Sequence, residues 1–184
     1  MSRRRTALVR SAVFVVVCLS ILTAYRLWMD RPGATEAQAQ SLIGQPLPAA
    51  AVVTPANGGA PYPLSDEVVG VTVINYFASW CGPCWAEVPV LLELRAEGVR
   101  IVGVAVRDRP DATQAFLDEL GDPYFRVVSD PQGANLGTLG LGADMPQTLV
   151  VSRDGDVLFH HSGPLVGTDG DAAVEEIREL AGPR

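Results

Sequence analysis

The chain has 184 residues, of which 48% are hydrophobic and 19% charged, and its formal net charge is −7. This length allows one domain of ordinary size with a short additional segment. Residues 1–40 have a net charge of +4, whereas the remainder has a net charge of −11. An acidic main domain argues against nucleic acid as a partner, because phosphate backbones attract basic surfaces.

Arginines at the N-terminus precede fifteen uncharged residues, 11–25. As a helix these rise about 22 Å, so they span a hydrocarbon core of roughly 30 Å only if Arg10 and Arg26 extend to the interfaces. The preceding arginines place the N-terminus in the cytoplasm. We therefore predict a cytoplasmic tail and single-pass membrane anchor over residues 1–30. Everything after the anchor is then on the extracytoplasmic side.

Two other interpretations of the N-terminal segment are weaker. A cleaved signal peptide is one, but the cleavage-like sequence at 37–39 lies about a dozen residues beyond the apolar run. Lipid attachment at Cys18 is the other, but Val17 precedes it where a small residue is expected, and the apolar run continues past it. An uncleaved anchor is favoured.

Residues 31–48 are small and polar with three prolines, which is typical of a linker. The predicted domain therefore covers 49–184. Short strands are predicted over 50–54 and 62–64. Residues 71–77 are almost continuously apolar with a β-branched start, which predicts a buried central strand.

The motif Trp80-Cys81-Gly82-Pro83-Cys84 follows that strand and begins a predicted helix over 83–96. A Cys-x-x-Cys at a strand-to-helix junction predicts a redox site. The unpaired N–H groups and the positive end of the helix dipole stabilise a thiolate on the first cysteine. Pro83 suits the first turn of the helix, where a missing N–H costs nothing.

Other uses of the paired cysteines are weaker. A structural zinc site needs four ligands, usually as two such pairs, and the remaining candidates Cys18, His160 and His161 lack that spacing. Adjacent strand residues such as the two histidines point to opposite faces, so we predict no metal site. A purely structural disulfide across two residues is strained. Because residues 31–184 contain no third cysteine, we predict a disulfide that opens and closes.

Strands and helices alternate along the rest of the chain, which predicts parallel strand pairing with helices on both faces of the sheet. A hairpin near the end predicts an antiparallel edge. The predicted elements are strand 99–106, helix 112–120 capped by Asp111, strand 125–128, hairpin strands 148–151 and 157–161, and a last helix from Asp169 or Asp171 to 180.

The cysteine motif and the segments around it resemble those of thioredoxin-fold proteins. They resemble more closely those of the DsbE/CcmG branch, the membrane-anchored thiol–disulfide oxidoreductases of cytochrome c maturation. TlpA/ResA-like reductases are near relatives. The resemblance covers about residues 42–180 and implies a thioredoxin-like three-layer α/β sandwich with a central mixed sheet. It rests on residues 74–87, 101–104 with Arg107 and Asp108, 120–124, 145–148 and 161–165.

The resemblance implies a role for each matching residue. Cys81 is the expected exposed nucleophile, Cys84 the buried resolving cysteine, and Pro146 a cis-proline that faces the disulfide. Glu87, three residues after Cys84, is expected to tune the thiol pKa or to aid proton transfer, although a solvated helix residue is an equal alternative. Four further residues are expected to contact substrate: Trp80, Gly82, Pro83 and Met145.

The implied activity is reduction of the haem-attachment cysteines of an apocytochrome c, or of another exported disulfide protein, at the periplasmic side of the bacterial inner membrane. It requires no organic cofactor and no metal. An integral-membrane thiol carrier of the DsbD/CcdA kind is the expected electron donor. A disulfide-forming oxidase, a TlpA/ResA-like reductase with another substrate and a copper metallochaperone that binds through the two thiols remain alternatives.

Two positions near the motif depart from the relatives. Thioredoxins usually have a buried Asp six residues before the first cysteine, and Asn75 takes that position here. An asparagine cannot shuttle a proton. The DsbE/CcmG branch often has an acid directly after its cis-proline, where this chain has Gln147.

Overall fold

The computed structural model describes residues 18–23 and 41–182, which belong to two separate units of the chain, Met1–Ala34 and Thr35–Arg184. Residues 18–23 are helical. The rest of the predicted anchor segment lies outside the described residues. Within the two described ranges, no helix has the length and hydropathy needed to cross a membrane.

A seven-stranded mixed sheet forms the centre of the second unit. Its strands are β1 Val52–Pro55, β2 Tyr62–Pro63, β3 Thr72–Phe77, β4 Ile101–Val106, β5 Arg126–Asp130, β6 Gln147–Val151 and β7 Val157–Ser162. In space they follow the order β2-β1-β5-β4-β3-β6-β7. β3, β4 and β5 are parallel, and β6 is antiparallel to both β3 and β7. The predicted parallel core with an antiparallel hairpin edge is confirmed.

Helices cover both faces of this sheet. They are α1 Gly82–Ala96, α2 Pro110–Leu120, α3 Ala134–Thr138 and α4 Gly167–Ala181, with one turn of 3₁₀-helix at Leu64–Glu67. Apolar side chains of α1, α2 and α4 form one buried cluster, and those of α3 and the N-terminal strands form another. Because both faces are covered, β3, β4 and β6 bury every residue, which explains why their sequences are mostly apolar. The thioredoxin-like α/β fold is confirmed.

Three details of the predicted elements are wrong. Asp111 does not cap α2, because the helix begins at Pro110 with Arg109 at the N-cap position, and Asp111 lies in the first turn. The last helix begins at Gly167, before either predicted capping aspartate. No helix was predicted at α3, whose five residues are too few to show a helical period.

Part of the predicted linker 31–48 packs on the domain. The amide of Gly44 donates to the carbonyl of Val157 at 2.8 Å, and the amide of Val157 donates to the carbonyl of Gln45 at 2.9 Å. Leu47 is buried in the cluster that contains α3. These bonds extend the edge of the sheet beyond β7, whereas residues 24–40 lie outside the described residues.

The topology brings two separate segments to one edge of the sheet. Parallel β3 ends at Phe77, and the chain then turns through the cysteine motif into α1. Antiparallel β6 begins at the same edge, where Gln147 is paired with Tyr76. The loop that precedes β6 therefore lies beside the start of α1.

Candidate active site

Cys81 and Cys84 form a disulfide at the start of α1, with their Cα atoms 5.3 Å apart. Cys81 is the N-cap residue, and its Sγ accepts a hydrogen bond from the amide of Cys84 at 3.2 Å. Cys81 is 5% exposed and Cys84 only 1%. Both residues are buried in the oxidised protein, and Cys81, the less deeply buried of the two, lies at the positive end of the helix dipole, where a thiolate is most stable.

A cis-proline precedes β6 at the same edge of the sheet. The Met145–Pro146 peptide bond is cis, as the resemblance implies. Pro146 is buried, whereas Met145 is half-buried and packs against both apolar clusters. The carbonyl of Pro146 accepts a bond from the amide of Gly163 at 3.0 Å.

Glu87 is fully buried on α1, one helical turn after Cys84. Its Oε1 accepts a hydrogen bond from Asn75 Nδ2 at 3.0 Å, and its Oε2 accepts one from the amide of Leu165 at 3.1 Å. Burial raises the pKa of Glu87 to about 7, and these two bonds oppose that rise. The alternative of a solvated helix residue is therefore wrong, and near neutral pH this carboxyl can both accept and release a proton.

The side-chain amide of Asn75 connects Glu87 to two other buried side chains. Its Nδ2 also donates to Thr148 Oγ1 at 3.2 Å, and its Oδ1 accepts from the Tyr124 hydroxyl at 2.8 Å. Burial, followed by the charges of Glu87 and Asp122, raises the pKa of Tyr124, so this hydroxyl remains a donor. Asn75 thus orients Glu87 while Glu87 itself is the titrating group of the network. The sequence pointed to Asn75 and Glu87 separately, and the roles of Tyr124 and Thr148 were not predicted.

A second set of contacts holds the loop before Cys81. The Asp108 carboxylate accepts from the amide and hydroxyl of Ser79 at 2.7 and 2.8 Å, and from Thr113 Oγ1 at 3.0 Å. The carbonyl of Arg107 accepts from Trp80 Nε1 at 3.2 Å, with Arg107 itself in the left-handed region at φ 49°. The Arg107-Asp108 pair was noted only as part of the family resemblance, and its contact with the motif was missed.

The residues expected to contact substrate surround Cys81 on the surface. Trp80 is 58% exposed, and Gly82 and Pro83 are also exposed. Trp85, in the first turn of α1, is partly exposed and donates through Nε1 to the carbonyl of Ser79 at 2.8 Å. An open apolar surface around a reactive sulfur can accommodate another protein chain.

The two histidines lie on opposite faces of β7. His160 Nε2 bonds Gln147 Oε1 at 2.7 Å, whereas His161 is paired with Thr148 and lies on the side of α4. Burial lowers the pKa of His160. Within residues 18–23 and 41–182, no group of three or more His, Cys, Asp or Glu side chains could hold a metal ion.

A disulfide at a helix N-terminus, with a cis-proline directly before the neighbouring strand, is the arrangement of a thioredoxin-fold redox protein. Residues 42–177 match the Redoxin family. The chain is 36% identical over 151 residues to the "Thiol:disulfide interchange protein DsbE homolog" of Paracoccus denitrificans, and the alignment covers 80% of each chain. It is 39% identical over 126 residues to "Thiol:disulfide interchange protein HelX" of Rhodobacter capsulatus, with 68% and 70% covered.

Solved structures agree with this relationship. A DsbE-type thiol:disulfide interchange protein from Chlorobium tepidum superposes with a TM-score of 0.61 at 26% identity, covering 76% of this chain and 98% of that one. The chain belongs to the Redoxin family and, within it, to the DsbE/CcmG thiol:disulfide interchange proteins. It is a thiol–disulfide oxidoreductase.

Proposed function

We propose that this protein is a membrane-anchored periplasmic reductase that returns the haem-attachment cysteines of apocytochrome c to the dithiol state. The observation that supports it is the Cys81–Cys84 disulfide at the start of α1, at the same sheet edge as the cis Met145–Pro146 bond. The kinship with DsbE-type proteins supports the choice of substrate.

In the first step, the Cys81 thiolate attacks one sulfur of the substrate disulfide. A Cys81–substrate disulfide forms, the substrate S–S bond breaks, and the departing substrate thiolate takes up a proton from solvent. Cys81 acts first because it is the less deeply buried of the two residues and its Sγ accepts an N–H bond. Pro146 closes one side of the site, and the backbone of Met145 is available to align the substrate strand.

In the second step, the Cys84 thiolate attacks Cys81 Sγ. The Cys81–Cys84 disulfide forms, and the second substrate cysteine leaves as a thiolate. Cys84 must first lose its thiol proton inside a buried site. Glu87 lies one turn along the same buried face of α1 and is the carboxylate that accepts this proton, because Asn75 cannot titrate.

The oxidised protein then needs two electrons and two protons for each turnover. An integral-membrane thiol carrier of the DsbD/CcdA kind supplies them by the same exchange chemistry in the opposite direction. The predicted anchor over residues 1–30 keeps the domain close to that donor and raises its effective concentration. No organic cofactor or metal enters either step.

Trapping in the intact cell envelope tests this proposal. In a Cys84→Ser variant the mixed disulfide on Cys81 cannot resolve, so the substrate remains attached and can be identified. Cys81→Ser is the matched control, because it retains one cysteine of the motif but lacks the exposed nucleophile. We expect an apocytochrome c on the Cys84→Ser variant and nothing on the control.

Two of the alternative functions give a different result in this experiment. Recovery of another exported protein instead of an apocytochrome indicates a TlpA/ResA-like reductase. Absence of any mixed disulfide, together with tight copper binding by the reduced protein, indicates a metallochaperone.

The reduction potential of the Cys81–Cys84 couple separates a reductase from an oxidase. We expect a clearly reducing value. A potential near about −120 mV, typical of a strong thiol oxidant, contradicts the proposed direction of electron flow.

A further inference from the structure

The residue that follows the cis-proline has a set of contacts that the exchange mechanism does not use. Gln147 is fully buried at the first position of β6. Its side chain lies on the same face of the sheet as His160 and Ser162 of the edge strand β7. This face is opposite to the one that contains Glu87 and Asn75.

The side-chain amide of Gln147 connects the cis-proline loop to the edge strand β7. Its Nε2 donates to the carbonyl of Asp144 at 2.7 Å and to Ser162 Oγ at 3.0 Å, and its Oε1 bonds His160 Nε2 at 2.7 Å. Both amide hydrogens therefore have acceptors, so Oε1 is the acceptor of the His160 N–H. The bond to Asp144 spans Met145 and Pro146 in the sequence and closes the loop between Asp144 and Gln147.

Little else holds that side of the loop. Ala143 and Asp144 are exposed, and Met145 is half-buried. Among the described residues, the bond from Gln147 is the one hydrogen bond made by the Asp144 backbone. Pro146 itself is fixed separately through the Gly163 amide. Met145 also packs against the two apolar clusters, whereas the Asp144 backbone depends on the Gln147 donor.

We propose that Gln147 is a positioning residue that holds the Asp144–Met145 backbone in place for pairing with a substrate strand. The proposal requires an N–H donor, because the Asp144 carbonyl can only accept hydrogen bonds. A carboxylate at position 147 would place two acceptors against each other. The inference rests on the exchange reaction and on a peptide substrate, and it does not depend on which protein supplies that peptide.

The test compares a peptide disulfide with a disulfide that has no backbone. The reduced full-length protein is mixed with an oxidised Cys-x-x-Cys-His peptide or with cystamine, and the second-order rate constants are measured. Gln147→Glu keeps the length of the side chain and its acceptor but loses the donor. Gln147→Met also loses the donor and adds no charge, so an effect shared by both variants reports the lost donor.

We expect both variants to react about tenfold more slowly with the peptide, as for the loss of one buried hydrogen bond. The rate constants with cystamine should change by less than about twofold. The reduction potential should change by less than about 10 mV. Leu158→Ala is the matched control, because Leu158 also belongs to β7, is 37% exposed and, among the described residues, has no hydrogen bond to the Gln147 network. It should react like the wild type.

Equal losses with the peptide and with cystamine, or no loss with either, overturn the proposal. If neither variant folds, as judged by circular dichroism, Gln147 is a residue of the core and the proposal is also wrong. The wild-type reaction with the peptide tests the proposed reductase function separately, since that rate does not depend on any change at position 147.

Discussion

At the scale of single residues, the buried carboxyl of Glu87 has the clearest physical consequence. Its pKa of about 7 in the folded protein exceeds the usual glutamate value of 4.5 because burial disfavours the charged form. Between these two values the folded protein binds a proton that the unfolded chain has released. The free energy of unfolding due to this group is therefore greatest below about pH 4.5, falls as the pH rises to about 7, and stays constant above that.

Replacement of Glu87 by glutamine should remove this pH dependence. The wild-type free energy of unfolding should lose about 3 kcal/mol from this group between pH 4.5 and pH 7.5, a loss that the variant lacks. Urea unfolding of the oxidised proteins across this range measures the difference between the two pH profiles. Parallel profiles for the two proteins would show that Glu87 titrates normally.

Asp108 is expected to stabilise the loop that precedes the nucleophile. Asp108→Asn places an NH₂ group among the donors of Ser79 and Thr113, and should lower the free energy of unfolding by about 1–3 kcal/mol. The matched control is Asp111→Asn, since Asp111 is exposed and pairs only with Arg109. Its effect should be within about 0.5 kcal/mol in the same urea experiment. Similar losses in the two variants would contradict a special role for Asp108.

At the scale of elements, β4 approaches the active-site network through a glycine. Gly103 lies beside Asn75 of β3, under the stacked rings of Phe77 and Tyr124, whose centroids are 4.7 Å apart. A Cβ atom on Gly103 would lie 2.8 Å from Tyr124 and 2.9 Å from Phe77. Because position 103 of β4 has no side chain, the Tyr124 hydroxyl can reach Asn75.

A methyl group at this position should therefore damage both packing and the network. Gly103→Ala is expected to destabilise the protein by about 1–3 kcal/mol through overpacking. Gly137→Ala in α3 is the control, because nothing lies within 4 Å of its added Cβ, and helix propensity predicts a gain of up to about 1 kcal/mol. Thermal unfolding of both variants checks the opposite signs. A Gly103→Ala protein as stable as the wild type would show that the rings move aside freely.

At the scale of the whole molecule, charge affects how substrates arrive. Residues 41–184 have a net charge of −11. A field of one sign raises the encounter rate of oppositely charged partners and is screened over about 10 Å at 0.1 M salt. The contacts at the disulfide are mostly apolar, so charge selects among substrates before they touch the site.

Two oxidised Cys-x-x-Cys-His peptides, one flanked by lysines and one by glutamates, should therefore react at different rates. At 10 mM salt we expect the lysine peptide to react about tenfold faster, and at 1 M salt the two rates should converge. Stopped-flow measurement of Trp fluorescence provides the rate constants, with uncharged cystamine as the control. A ratio that does not change with salt would exclude long-range steering.

Local patterns explain which parts of this protein are predictable. The buried strands are mostly apolar, the motif lies between a strand and a helix, and the hairpin turn has its own sequence signal. These features depend on neighbours in sequence, so the central strands, three of the four helices and Cys81 with Cys84 follow from the chain alone. The helix starts at Pro110 and Gly167 were misplaced because cap signals compete within a few residues.

The surroundings of the disulfide depend on contacts between distant segments. Glu87 bonds a residue 12 positions before it and another 78 positions after it, and Tyr124 bonds Asn75 across 49 positions. One local signal was available, since Glu87 falls in the spacing of Cys84, Leu91 and Leu94 on the buried face of α1. The sequence by itself determined the redox chemistry, its two sulfurs and the class of fold. Only the tertiary structure decided that Glu87 is buried and that Asp108 and Gln147 support the site, because desolvation and long-range hydrogen bonds exist only once the sheet has assembled.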